Sequence, residues 1–125
     1  MVYTIKKGSN AVMRAKSSSW KTGCSVEAAL SVIGGIWKPV ILFHLLERKM
    51  RFGELSRLLP NATQRMLTLQ LRELEADKVI TRTVYREVPP RVEYSLTELG
   101  KTLEPVLLNL RDWGEKYQFR KSTRG

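Results

Sequence analysis

Pro60 and the three residues after it constrain this chain more than any other feature. Upstream, Phe52, Leu55, Leu58 and Leu59 fall at i, i+3, i+6 and i+7, a short amphipathic helix that Pro60 stops. Asn61-Ala62 makes the turn, and Thr63 is placed to cap a second helix over residues 64–76. Leu67, Leu71 and Leu74 form the inward stripe of that helix. Two further runs, 80–86 and 91–96, alternate and are rich in β-branched and aromatic residues, so they read as strands. Glu87-Val88-Pro89-Pro90 joins them into a hairpin with a stiff tip.

The remaining elements follow from the same periodicities. Ser25 can cap a helix whose first turn holds Glu27, and Ala29, Leu30, Ile33 and Trp37 recur at near-helical spacing. Gly34-Gly35 ends or bends it, and Trp37-Lys38-Pro39 opens the next helix. Val40, Leu42, Phe43, Leu45 and Leu46 make that helix apolar nearly all round, which marks it as the buried centre. After the hairpin, Thr97 and Glu98 start a last helical region in which Leu99, Leu103, Val106, Leu110, Trp113 and Tyr117 follow at spacings of 4, 3, 4, 3 and 4. Pro105 predicts a kink or a break into two helices there. The parts are those of a winged helix-turn-helix: a mainly α fold with a small β-hairpin, here with added N- and C-terminal helices. Residues 1–23 read as a basic flexible arm in which Val2–Ile5 is a short strand or part of the arm; 24–118 as the domain; 119–125 as a basic tail.

Charge narrows the function. The 125 residues carry 22 lysines and arginines against 12 acids, a net +10. Residues 1–24 hold Lys6, Lys7, Arg14, Lys16 and Lys21 and no acid, and 119–125 hold Arg120, Lys121 and Arg124. Basic ends on a nearly neutral body suit a polyanionic partner. A single cysteine excludes an intrachain disulfide framework and a cysteine-cluster zinc site. No metal site, cofactor motif, phosphate loop or nucleophile elbow is legible, and the lone His44 sits within an apolar helix, so no enzyme is expected. No apolar run approaches the roughly 18 residues of a membrane span, and no signal peptide is apparent. A cytoplasmic protein without a membrane partner is the expectation.

A major groove about 12 Å wide admits one helix, whose outer face must be polar and cationic. On a wheel of 100° per residue, Leu71 and Leu74 lie within about 40° of Leu67, whereas Arg65, Leu69, Arg72 and Ala76 lie near the opposite pole and Thr68 to one side. Arginine matches the two major-groove acceptors of guanine, and threonine meets a base or a phosphate. Leu69 is out of place at a solvent pole. It either contacts a thymine methyl group or is one of the scattered exposed leucines common on surfaces. Thr63, Gln64, Arg65, Thr68, Leu69 and Arg72 of the helix, with Arg82, Arg86 and Arg91 of the hairpin, are the candidate DNA-binding residues. Arg91 is the candidate for a minor-groove or phosphate contact.

Several segments together resemble the HxlR-type family of bacterial transcription regulators: Cys24–Leu30, Ile33–Lys38, Arg51–Leu55, Leu71–Glu75 and the long motif Val88–Gly100. The resemblance spans about residues 24–117. It implies a homodimeric winged helix-turn-helix protein that binds a double-stranded DNA operator, with 64–76 as recognition helix and 81–96 as wing. The dimer helices would be the N-terminal helix and the C-terminal region. Such proteins usually carry polar residues at the positions of Leu69-Gln70, so the operator sequence does not transfer. The C-terminal seam agrees on the dimer. Leu103, Val106, Leu110, Trp113 and Tyr117 are too apolar for a lone surface helix, and a two-fold dimer meets a palindromic site, as a repressor would.

Cys24 precedes the first helix, where the helix N-terminus and nearby Lys21 favour the thiolate. Some regulators of the family sense quinones, aldehydes or oxidants through a cysteine at this position. Without a second cysteine, its chemistry is a Cys24–Cys24 bridge across a dimer, a mixed disulfide with a low-molecular-weight thiol, or alkylation by a small electrophile. The competing role is a small, half-buried packing residue. A basic RNA-binding protein is the alternative function, with Tyr85 and Tyr94 as stacking residues.

Overall fold

The computed structural model describes residues 2–3 and 22–124. The elements are β1 (Val2–Tyr3), α1 (Ser25–Ile33), α2 (Trp37–Glu47), β2 (Met50–Arg51), α3 (Phe52–Leu58), α4 (Gln64–Ala76), β3 (Ile80–Tyr85), β4 (Arg91–Leu96), α5 (Glu98–Lys101) and α6 (Glu104–Arg124). The strands form one antiparallel sheet in the order β1-β3-β4-β2. In the β3–β4 hairpin, Arg82 lies opposite Tyr94 and Thr83 opposite Glu93. The fold is a winged helix-turn-helix: α3 and α4 form the helix-turn-helix, and the hairpin is the wing.

Local chemistry sets most of these boundaries. The cap expected of Ser25 falls one residue earlier, on Cys24, whose side chain makes no capping bond. Glu27 instead reaches back to the Thr22 backbone N–H at 2.9 Å. Gly34 closes α1 by donating to the Leu30 carbonyl at 2.8 Å, and a Cβ there would lie 2.3 Å from that oxygen. The Arg51 N–H donates to the Glu54 carboxylate at 2.9 Å at the start of α3. Thr63 accepts the Met66 N–H at 3.0 Å, as its position predicts, and opens α4. β3 stops at Tyr85, one residue short of the expected Arg86, because the Glu87 N–H turns back to the Tyr85 carbonyl at 3.0 Å. The Val88–Pro89 peptide at the wing tip is cis.

The core is built on α2. Ile41, Leu42, Leu55, Leu67, Leu71, Leu74 and Ile80 are fully buried, so the inward stripe of α4 sits where the sequence puts it. The break expected at Pro105 lies just upstream, at Thr102-Leu103, and Pro105 sits in the first turn of α6, where its missing N–H is not needed. Leu107 then closes the core at 2% exposure. α5 approaches the α4–β3 turn so closely that a Cβ on Gly100 would stand 2.0 Å from the Val79 carbonyl oxygen. Thr97 strengthens that junction by donating to the Lys78 carbonyl at 2.7 Å.

Of the arm expected at 1–23, Val2–Tyr3 forms a strand against β3, while Thr4, Ile5 and the cluster Lys6, Lys7, Arg14, Lys16 and Lys21 lie outside the described residues. The basic segment 119–125 continues α6 as far as Arg124.

Candidate nucleic-acid interface

Three side chains bury α4 and an ion pair to α2 adds a fourth attachment. Leu67, Leu71 and Leu74 seat the helix on the core. Across from them in sequence, Lys38 of α2 is buried and places its Nζ 2.5 Å from the Glu73 carboxylate. A cation in the first turn of α2 opposes that helix's own dipole, so the residue is explained by Glu73 and not by local helix chemistry. Sequence periodicity had no signal for this pair, because the partners are far apart in the chain.

The opposite face of α4 is open. Gln64, Arg65, Leu69 and Arg72 are exposed, and Thr68 is half-buried. With Phe52 of α3 these five line a groove of about 680 Å³. The Thr63 hydroxyl, exposed at the head of the helix, is engaged by the Met66 N–H. Among the described residues, Arg65 and Arg72 have no carboxylate partner, so their charge is uncompensated on the outer surface.

The wing distributes charge differently. Arg86 is exposed at its tip and also lacks a described acidic partner. Arg91 is committed: its Nη2 and Nε donate to Glu87 Oε2 at 2.8 and 3.0 Å, and its Nη1 to Glu93 Oε2 at 2.7 Å. Its guanidinium also lies 3.8 Å from the centre of the Tyr85 ring. Lys49 stands 3.4 Å from the other oxygen of Glu93, which ties the wing to the connector before β2. Burial works against the Glu93 charge, but Arg91 and Lys49 outweigh it and hold the carboxyl below its ordinary value. Arg82 faces the C-terminal end of α4, where burial pushes the Glu75 carboxyl up and the Arg82 charge opposes that shift. One Glu75 oxygen is buried without a hydrogen-bond partner.

Two other predicted sites are placed plainly. Cys24 is exposed, a free thiol at the N-terminus of α1, with its backbone N–H donating to Thr22 Oγ1 at 3.1 Å. In the seam, Val106, Leu110, Trp113 and Tyr117 are all exposed on one face of α6, and Trp113 stacks on Tyr117 with ring centres 5.4 Å apart. Leu103 differs from them, because it packs against the chain's own core. Val26 and Leu30 of α1 are exposed as well. Among the described residues no group of acidic, histidine or cysteine side chains is arranged to hold a metal ion. No single described helix is long and apolar enough to cross a membrane.

A helix-turn-helix with an arginine-bearing second helix and an adjoining wing defines a DNA-binding protein class. The family model described as HxlR-like helix-turn-helix matches residues 32–122, and the chain belongs to that family. It is 63% identical over 98 residues to YdeP, an HTH-type transcriptional regulator of Bacillus subtilis strain 168, with 78% of this chain and 77% of that protein covered. Among solved structures, the redox regulator HypR in its reduced form is similar at 53% identity and a TM-score of 0.76, with 80% of this chain and 99% of that chain covered. The oxidised form of HypR is similar at 58% identity and a TM-score of 0.73, over 74% of this chain and 96% of that one. The chain is thus a transcriptional regulator of the helix-turn-helix type, and its relatives are regulators and not enzymes.

Proposed function

We propose that this protein is a sequence-specific, homodimeric repressor that binds a palindromic operator in the cytoplasm, with α4 in the major groove. The observation that carries this reading is the two-sided character of α4: leucines locked into the core behind, and uncompensated Arg65 and Arg72 in front. Gln64, Thr68 and Leu69 complete the base-reading face, and Thr63 sits at its head. In the wing, Arg86 is the residue ready to meet phosphate. Arg82 and Arg91 contribute from the strands, and at Arg91 a phosphate has to compete with Glu87 and Glu93. A second copy would cover the exposed seam Val106, Leu110, Trp113 and Tyr117, with Leu103 at its inner margin. Footprinting on DNA flanking the gene tests the reading. Arg72→Ala should lower specific affinity by roughly 1–3 kcal/mol and relax base preference at one position per half-site. Equal weakening on all sequences would remove α4 from base reading.

Cys24 is the proposed redox or electrophile sensor. Its exposure at a helix N-terminus supports this, as does the similarity to a regulator solved in reduced and oxidised forms. Two Cys24 thiols of a dimer would lose two protons and two electrons to an oxidant such as diamide and form one disulfide. A mixed disulfide with a small thiol or alkylation by an electrophile are the other routes. Cys24→Ser should keep its DNA on treatment with diamide or a quinone. Release of DNA by that variant would refute the role. RNA binding has less support, because Tyr85 is covered by Arg91 and Tyr94 packs against the core.

A further inference from the structure

Leu69 is 48% exposed, although it stands between two arginines on the outer face of α4. Arg65 precedes it by one helical turn and Arg72 follows it by three residues. It is not among the residues of the core cluster or those packed against it, so packing within the chain does not explain it. Phe52, half-buried at the start of α3, lines the same groove. The groove therefore has two apolar side chains within a rim of guanidinium, amide and hydroxyl groups.

That combination fits one feature of a base-pair edge. In the major groove, hydrogen-bonding groups are accompanied by a single apolar one, the C5-methyl of thymine, which 5-methylcytosine shares. We propose that Leu69, with Phe52 across the groove, forms a seat for a pyrimidine C5-methyl, so that each half-site carries such a base beside those read by the arginines. The inference rests on α4 lying in the major groove as proposed above. Burying one methyl group should change affinity about fourfold per half-site.

The test uses the full chain and its footprinted operator. Each half-site thymine is replaced singly by deoxyuridine, which deletes the methyl and leaves every hydrogen-bonding edge intact. One position per half-site should lose about fourfold in affinity for the wild-type protein. In Leu69→Ser, thymine and uracil at that position should bind alike. Leu69 is exposed, so this variant is expected to fold, and retained binding to unsubstituted operator at elevated protein concentration verifies it. At the same position, 5-methylcytosine against cytosine shows whether a methylated cytosine is accepted as the source of the methyl. A fourfold ratio extends the seat to both bases, and a ratio of one restricts it to thymine. An operator indifferent to uracil at every position, or a uracil effect that persists unchanged in Leu69→Ser, overturns the seat while leaving the regulator assignment standing. Absence of any sequence-specific footprint overturns both.

Discussion

Helices α4 and α6 both carry apolar residues at three- and four-residue spacing, yet their surroundings differ completely. In α4, Leu67, Leu71 and Leu74 are at most 1% exposed. In α6, Val106, Leu110, Trp113 and Tyr117 are 42 to 66% exposed. α4 is enclosed by α2 and β3, and Lys38 adds an ion pair to Glu73. α6 packs on α2 with Leu107 in the core and Leu103, just before the helix, beside it, but from Asn109 to Ser122 only Gly114 is even partly covered. An apolar period thus states that a helix face has to be covered. It does not state whether the cover comes from the same chain or from another one.

The largest expected effect probes the enclosed face. Leu71→Ala should cost about 2–5 kcal/mol of folding stability in urea or thermal denaturation, because it leaves a cavity among buried neighbours. A loss below about 1 kcal/mol would mean that α4 is less firmly seated than its burial indicates. Trp113→Glu addresses the exposed face. It should weaken self-association by about 2 kcal/mol or more, so that sedimentation reports 14.4 kDa monomers with unchanged helicity. A variant that remains dimeric would take the seam out of the interface.

Lys38→Met separates polar anchoring from apolar seating. Breaking a fully buried pair costs about 3–5 kcal/mol, but Glu73 is 43% exposed and can rehydrate, so roughly 1–2 kcal/mol is expected. The operator-to-random-DNA affinity ratio should fall as well if the pair sets the rotation of α4. The smallest effect is in pH. Glu75 binds its proton more tightly in the folded state than at its ordinary value of 4.5, so this residue's contribution to stability falls as pH rises from about 4.5 to its raised folded value and is level above that. Glu93, held low, acts in the opposite sense: its contribution is present above 4.5 and is lost as pH falls through its depressed folded value. Stability curves of Glu75→Gln and Glu93→Gln should diverge from wild type with these opposite slopes.

Much of the site was legible. The bounds of α4, its inward leucines and the outward position of Arg65 and Arg72 follow from a cap, a proline and a period. The commitment of Arg91 was not read from the sequence although its partners are local: Glu87 stands four residues before it across the wing tip, and Glu93 two residues after it on the same face of β4. Leu107 was missed for a different reason: the seam chosen from the sequence is the one that faces outward, and the inward contact of α6 is a single buried residue beside it. The cap of α1 lies one residue before the expected Ser25: Cys24 holds the N-cap position, and its N–H donates to Thr22 Oγ1.

Local order came largely from the sequence alone: the helices, the β3–β4 hairpin and their apolar faces, though not the two-residue strand β2, which reads as a basic connector. Those are properties of neighbours along the chain, where caps, prolines and periods act directly. Tertiary structure decided which cations stay uncompensated. Arg91 finds its acids among its chain neighbours. Whether Arg65 and Arg72 meet a carboxylate depends, as it does for Lys38 and Glu73, on which elements remote in sequence pack against that face, and this exists only once the helices and the wing have packed.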